Sequence, residues 1–186
     1  MRKLQIISYF CLSLVTVIGL MTIVASGGGG GGESDTTNDT PVDAVIDPYE
    51  IAPSAIETFT STGGDICMED GKPVIRMFST TWCPHCQWIS DVFDDVVQMY
   101  VDEGLIVAHH WELDTGDDTL TIQVEESVPE SEEAIFNTFN PDNSIPTFVF
   151  GCRYYRIGNG HELQNDLKAE AAEFMAVIED LLDSVQ

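Results

Sequence analysis

The sequence predicts an α/β fold, and two observations carry that expectation. Short apolar runs rich in β-branched and aromatic residues, such as 74–78 and 147–150, alternate with longer segments whose apolar residues recur at helical spacing. The chain has 186 residues, 44% of them hydrophobic, which supplies one core of ordinary size plus extensions.

Residues 4–25 are an uncharged run of 22 behind Met1, Arg2 and Lys3. That length crosses a bilayer, and basic residues on its N-terminal side alone orient the rest of the chain outward. Residues 1–26 are therefore read as a membrane anchor or, given the small residues Val24, Ala25 and Ser26, as a signal peptide cut there. Either form sends the chain out of the cytoplasm, to the periplasm or the cell surface. Ser26 stands where a lipidated cysteine would be, which argues against lipidation. The glycines from Gly27 onward and the Asp- and Thr-rich residues after them bury too little apolar surface to order themselves. Residues 27–48 are thus a disordered linker reaching about 25 Å. Residues 49–186 are left as the folded domain.

Within that domain, Ile56 and Phe59 predict a short leading helix over 53–62, stopped by Gly63 and Gly64. Residues 66–68, 69–72 and 73–79 read as an extended segment, a turn and a central, mostly apolar strand. Ile89, Val92, Phe93, Val96, Val97 and Tyr100 recur at helical spacing and define one buried face. Strand character returns at 105–113, where His109 and His110 must point to opposite faces and so do not share a metal easily. Residues 114–127 read as an insertion with an edge strand at Leu120, Ile122 and Val124. A helix over 129–139 carries Ala134, Ile135, Phe136 and Phe139, with Pro129 in its first turn. Two strands, 147–150 and 153–157, are joined by a tight turn. Leu163, Leu167, Phe174, Ile178, Leu181 and Val185 mark a final amphipathic helix.

The formal charge is −25, and only five of the 7 basic residues follow the first apolar segment, facing all 32 acidic ones. Such a surface repels phosphates and excludes nucleic acid as a partner. It is either simply well solvated or selective for basic partners. Setting aside Cys11 in the apolar run leaves Cys67, Cys83, Cys86 and Cys152, an even number in a compartment that permits disulfides.

The chemistry concentrates in Trp82-Cys83-Pro84-His85-Cys86, between the central strand and the first long helix. Two thiols at this spacing serve redox chemistry or metal binding, and the spacing alone leaves both open. At a helix N-terminus Cys83 meets unpaired backbone N–H groups and the positive end of the helix dipole, which stabilise a thiolate. Cys83 is therefore the expected attacking thiol, and Cys86, one turn further in, the resolving one. Pro84 and His85 are assigned to tuning the pair. A protonated His85 favours the reduced thiolate and makes the disulfide a stronger oxidant.

The order strand, CxxC helix, strand, helix, Ile145-Pro146-Thr147 strand, strand, helix resembles the thioredoxin family over residues 65–186. The resemblance rests on Trp82 before the cysteines, on Ile145-Pro146-Thr147 about sixty residues later, and on Gly158 after the last hairpin. It implies a central mixed β-sheet flanked by helices, with Pro146 a cis-proline facing Cys83 and Cys86. Extended substrate segments are expected to bind beside Ile145 and Pro146, and Trp82 is read either as shaping that docking surface or as packing against the sheet. In the implied topology Cys67 and Cys152 fall at the sheet end away from the site, where they are assigned as a structural disulfide. Cys-Pro-His-Cys is also the motif of the periplasmic oxidant DsbA, although this domain is too short for the helical insertion of that protein. Both carry a buried acid six positions before the first cysteine, where Met77 stands in this chain.

The expected function is a thiol–disulfide oxidoreductase acting outside the cytoplasm, oxidising or isomerising protein cysteines. Its expected partners are protein thiols or disulfides, a further redox partner, and the membrane through residues 4–25. No metal and no cofactor beyond the Cys83–Cys86 disulfide is called for. Three alternatives stand beside it: a reductase of the cytochrome c maturation type, a metal carrier using Cys83, His85 and Cys86, and a non-catalytic interaction module.

Overall fold

Residues 47–185 are described by a computed structural model; the apolar segment 1–26 and the linker up to residue 46 lie outside the described residues. In chain order the strands are β1 (Thr60–Ser61), β2 (Met68–Glu69), β3 (Lys72–Ser79), β4 (Val107–Glu112), β5 (Asp117–Asp118), β6 (Thr147–Phe150) and β7 (Tyr154–Ile157). The helices are α1 (Pro84–Asp102), α2 (Glu130–Phe139) and α3 (Leu167–Val185), with short 3-10 turns at Pro48–Glu50 and Glu162–Gln164. Among the described residues no helix is long and apolar enough to cross a membrane.

The sheet is mixed, in the order β1-β7-β6-β3-β4-β5, with β2 paired to the start of β3. Strand β3 runs parallel to β4 and antiparallel to β6, and its residues are buried on both faces, which explains its nearly unbroken apolar run. One face carries Ile75, Met77, Phe148 and Phe150 against Ile89, Phe93 and Val96 of α1 and Phe174 and Ile178 of α3. The other carries Phe78, Trp111 and Val149 against Phe136 of α2. Helices thus flank both faces of an α/β fold, as the sequence predicts. Asp70 and Gly71, both at positive φ, close the β2–β3 hairpin with the turn twist that suits antiparallel strands.

Three sequence expectations are corrected. The leading helix over 53–62 does not form. Instead Glu173 of α3 accepts hydrogen bonds from the backbone N–H of Glu57 and Thr58 and from the Thr58 hydroxyl. Phe59 inserts among Phe148, Phe150 and Phe174, so tertiary contacts override weak local periodicity. The edge strand of the insertion lies at Asp117–Asp118 and not at Leu120–Val124, whose Ile122 and Val124 point into solvent. There the Asp118 N–H donates to the Glu125 carboxylate and the Glu125 N–H to the Asp117 carboxylate, which holds the segment as a loop. Leu163 is also fully exposed and precedes the final helix, which starts at Leu167.

Cys67 and Cys152 are joined by a disulfide with a Cα–Cα distance of 5.3 Å. Backbone hydrogen bonds from Cys67 to Gly151 and from Val74 to Cys67 already bring these segments together. The bond sits at the end of the sheet opposite Cys83. Gly151 and Cys152 both take positive φ in the β6–β7 turn, and a side chain at Gly151 would strike Leu181. Replacing both cysteines by serine is expected to lower unfolding free energy by about 4 kcal/mol, read from urea denaturation under non-reducing conditions.

Two buried ion pairs brace the layers. Arg76 forks onto Glu132 of α2 at 2.6 and 2.9 Å. Arg156 meets Glu170 at 2.6 Å and Glu173 at 3.4 Å, under the rings of Phe59, Phe148 and Phe174. Burial opposes ionisation of Glu173, but bonds from Thr58 and Glu57 and the nearby Arg156 hold its carboxyl below the usual range. A depressed folded-state value gives stability that is complete above the ordinary glutamate value and lost as pH falls through the folded one. Comparing Glu173→Gln with the parent is therefore expected to show a stability gap at neutral pH that closes below about pH 4.5. Urea midpoints measured across that range check it.

Candidate active site

Strand β3 ends at Ser79, and a loop of four residues delivers the chain to α1. Thr81 is anchored by its backbone N–H and hydroxyl to the Asp114 carboxylate beyond β4, and Gln87 donates to the Thr81 carbonyl at 2.6 Å. Those bonds fix the loop that carries Trp82. Trp82 itself is 68% exposed, which makes it a surface feature and rules out packing on the sheet.

Cys83 is the N-cap of α1 and Pro84 its first residue, where a missing N–H costs nothing. Cys83 makes no side-chain capping bond. Both thiols are free and buried, Cys83 at 4% and Cys86 at 1% exposure, and they are in hydrogen-bond contact. Burial pushes the Cys86 thiol up to about 12, helped by the Cys83 contact and opposed by a hydrogen bond from the Thr80 backbone. The charge of Asp114 pushes in the same direction as burial. Asp114 itself is held below the usual range by its Thr81 bonds, against a small opposing effect of desolvation.

The Ile145–Pro146 peptide is cis, and Thr147 directly after it pairs with Phe78, one residue before β3 ends. Topology thus brings Pro146 to the same sheet end as the cysteines, and Ile145 packs against the core cluster that contains them. The Pro146 carbonyl accepts from Gly158, while the Ile145 N–H and C=O have no hydrogen-bond partner among the described residues. Asn140, fully buried, holds this loop by bonding Ser144 and the Thr147 hydroxyl.

His85 is exposed at 64% of its side chain, and its Nδ1 lies 2.7 Å from Glu162. Asn159 donates both to the His85 carbonyl and to Glu162, at 2.9 and 2.8 Å. Although desolvation acts the other way, the His85 and Asn159 bonds hold the Glu162 carboxyl below its usual range. Trp88 packs on the core and donates to Asn165 at 3.0 Å.

Met77 is fully buried, and no carboxylate replaces it within β3. On the same sheet face a chain of polar groups runs from Ser79 through His110 to Asp94, with 2.8 Å at each step. His109 turns to the opposite face, bonded to Asp118 at 2.7 Å and stacked on Trp111. Among the described residues no group of three or more His, Cys, Asp and Glu is arranged to hold a metal ion.

The structure therefore brings Cys83, Cys86, Pro84, His85, Trp82, Ile145 and Pro146 to one end of the sheet and Cys67 and Cys152 to the other. Sequence reasoning missed Glu162, Asn159, Asn140 and Asp114. Glu162 and Asn159 lie more than seventy residues from their partners, a separation at which no local pattern gives a signal. No protein-family model matches the chain, and no curated protein matches it.

With the Cys86 thiol raised so far, iodoacetamide at pH 8 on the reduced protein is expected to modify Cys83 and leave Cys86 largely unmodified. Peptide mapping by mass spectrometry reads this directly, and equal labelling of both would contradict it.

Proposed function

We propose that this chain is a thioredoxin-like thiol–disulfide oxidoreductase that acts on protein cysteines outside the cytoplasm. The observation that carries the reading is the pairing of two free thiols at the N-terminus of α1 with a cis-proline at the start of the adjacent strand. Cys83 caps the helix, Cys86 lies behind it, and Ile145 keeps free backbone groups beside them. An outward-facing setting is supported by the apolar residues 4–25 and by the Cys67–Cys152 disulfide, a bond that persists in oxidising compartments.

In the oxidising direction, a substrate thiolate attacks Cys83 of the Cys83–Cys86 disulfide. A mixed disulfide forms, and the electron pair of the broken bond leaves on Cys86, which takes up a proton. A second substrate thiolate then attacks the substrate sulfur of the mixed disulfide, and the electron pair of that bond leaves on Cys83. The substrate loses two electrons and two protons and gains a disulfide, while the protein becomes a dithiol that a separate partner must reoxidise. The unpaired Ile145 N–H and C=O suit an extended substrate segment, which adds to them as a strand adds to a sheet edge. Trp82 offers an exposed aromatic face to the same segment.

A reductase reading, with the same steps in reverse, has one observation in its favour: Glu162 pairs with His85 and offsets the positive charge that would make the couple strongly oxidising. The reduction potential separates the two. A value near that of thioredoxin assigns the reductase role, and one near that of the strong periplasmic oxidant assigns the oxidant role. Independently, Cys86→Ser is expected to accumulate mixed disulfides through Cys83, seen as reductant-sensitive bands on non-reducing gels. Absence of such adducts, with a folded protein, would sink the enzyme reading.

A further inference from the structure

The cations of the described domain are few, and none of its lysines or arginines serves the thiols. Lys72 opens β3 and Arg153 follows the β6–β7 turn, both at the sheet end away from Cys83. Arg76 is consumed by Glu132, and Arg156 by Glu170 and Glu173. Lys168 is exposed at the start of α3. Positive potential at Cys83 therefore comes from the free N–H groups of the first α1 turn and from His85, two residues on.

His85 is not left to act alone. Its Nδ1 is turned onto Glu162, and Asn159 clasps both the His85 carbonyl and the Glu162 carboxylate. From the geometry we infer that Glu162 is a positioning residue that sets the redox potential of the Cys83–Cys86 couple by capturing His85. This inference rests on the oxidoreductase reading and deepens it. Held on Glu162 by its Nδ1 and clasped through Asn159, a protonated His85 has its charge cancelled and its ring fixed on the loop after β7, so it no longer favours the Cys83 thiolate and the disulfide is the weaker oxidant for it. The effect is carried by the captured imidazole and not by the charge of the Glu162 carboxylate alone.

The test equilibrates the full chain with glutathione buffers at pH 7. The protein disulfide takes two electrons and two protons from two glutathiones, giving the dithiol and one glutathione disulfide. Glu162→Gln is expected to shift this equilibrium toward the reduced protein by roughly two- to five-fold, the range of an exposed ion pair. The same substitution is then made in a His85→Ala background, where a smaller shift is expected because the captured charge is gone. A structural effect of Glu162 on the loop would not depend on the imidazole. A shift of equal size in both backgrounds, or none in either, overturns the assignment of Glu162 while leaving the oxidoreductase reading intact. A parent protein whose Cys83 and Cys86 stay reduced at every glutathione ratio overturns both.

Discussion

Strand β3 hydrogen-bonds along both edges, to β4 running with it and to β6 running against it. The parallel edge forces the chain to leave β3 at the end where β4 also finishes, and α1 is the crossover that returns it. The antiparallel edge forces β6 to begin where β3 stops. A helix N-terminus and the Ile145–Pro146 loop therefore meet at one end of the sheet by topology alone. Neither needs a dedicated contact to find the other. The same argument sends Cys67, before β3, and Cys152, after β6, to the opposite end, where their backbones are already hydrogen-bonded before any sulfur chemistry. One pair of cysteines is thus closed by the fold while the other stays free and buried at the N-terminus of a helix.

The second constraint is charge inside the layers. Arg156 projects from β7 into a nest of three aromatic rings, and a guanidinium in that position needs carboxylates to offset its lost hydration. Glu170 and Glu173 provide two, one more than a single cation balances. Thr58, the Glu57 N–H and His161 supply the remaining donors, and His161 also donates its backbone N–H to Glu170. This network ties three distant stretches of chain together and fixes the residues just after β7. Asn159 and Glu162 sit in that fixed segment, so the pairing with His85 is set by a buried cluster on the other side of the same loop.

Much of this was legible from the sequence where local pattern and tertiary burial agree. Every residue assigned to the buried face of α1, from Ile89 to Tyr100, is buried there, because a long amphipathic helix leaves one solution. The β2–β3 turn was legible because Asp70-Gly71 suits paired positive φ. Residues 53–62 were misread because their two apolar residues fit a helix as well as an extended strap, and the carboxylate that chooses the strap belongs to α3. Leu120, Ile122 and Val124 alternate as a strand does, yet the carboxylates around Asp117 offer the backbone better partners. In the site, the cysteines, Pro146 and Trp82 announced themselves as a motif. Glu162 did not, since a glutamate among 32 acidic residues carries no signal until the fold places it 2.7 Å from His85.

That last placement bears on how so acidic a protein handles a thiolate. A formal charge of −25 makes the surroundings of any anion unfavourable at long range, but those contributions fade beyond roughly 10 Å at ordinary ionic strength. Groups within that distance decide. The α1 N-terminus is a fixed donor, present at every pH. His85 is the other group at that helix end, paired with Glu162 at 2.7 Å. On the proposed reading the Cys83 thiolate has a constant support in the helix and an adjustable one in the His85–Glu162 pair, so substitutions on the loop after β7 would alter the couple, far in sequence from the cysteines and without disturbing the core that positions them.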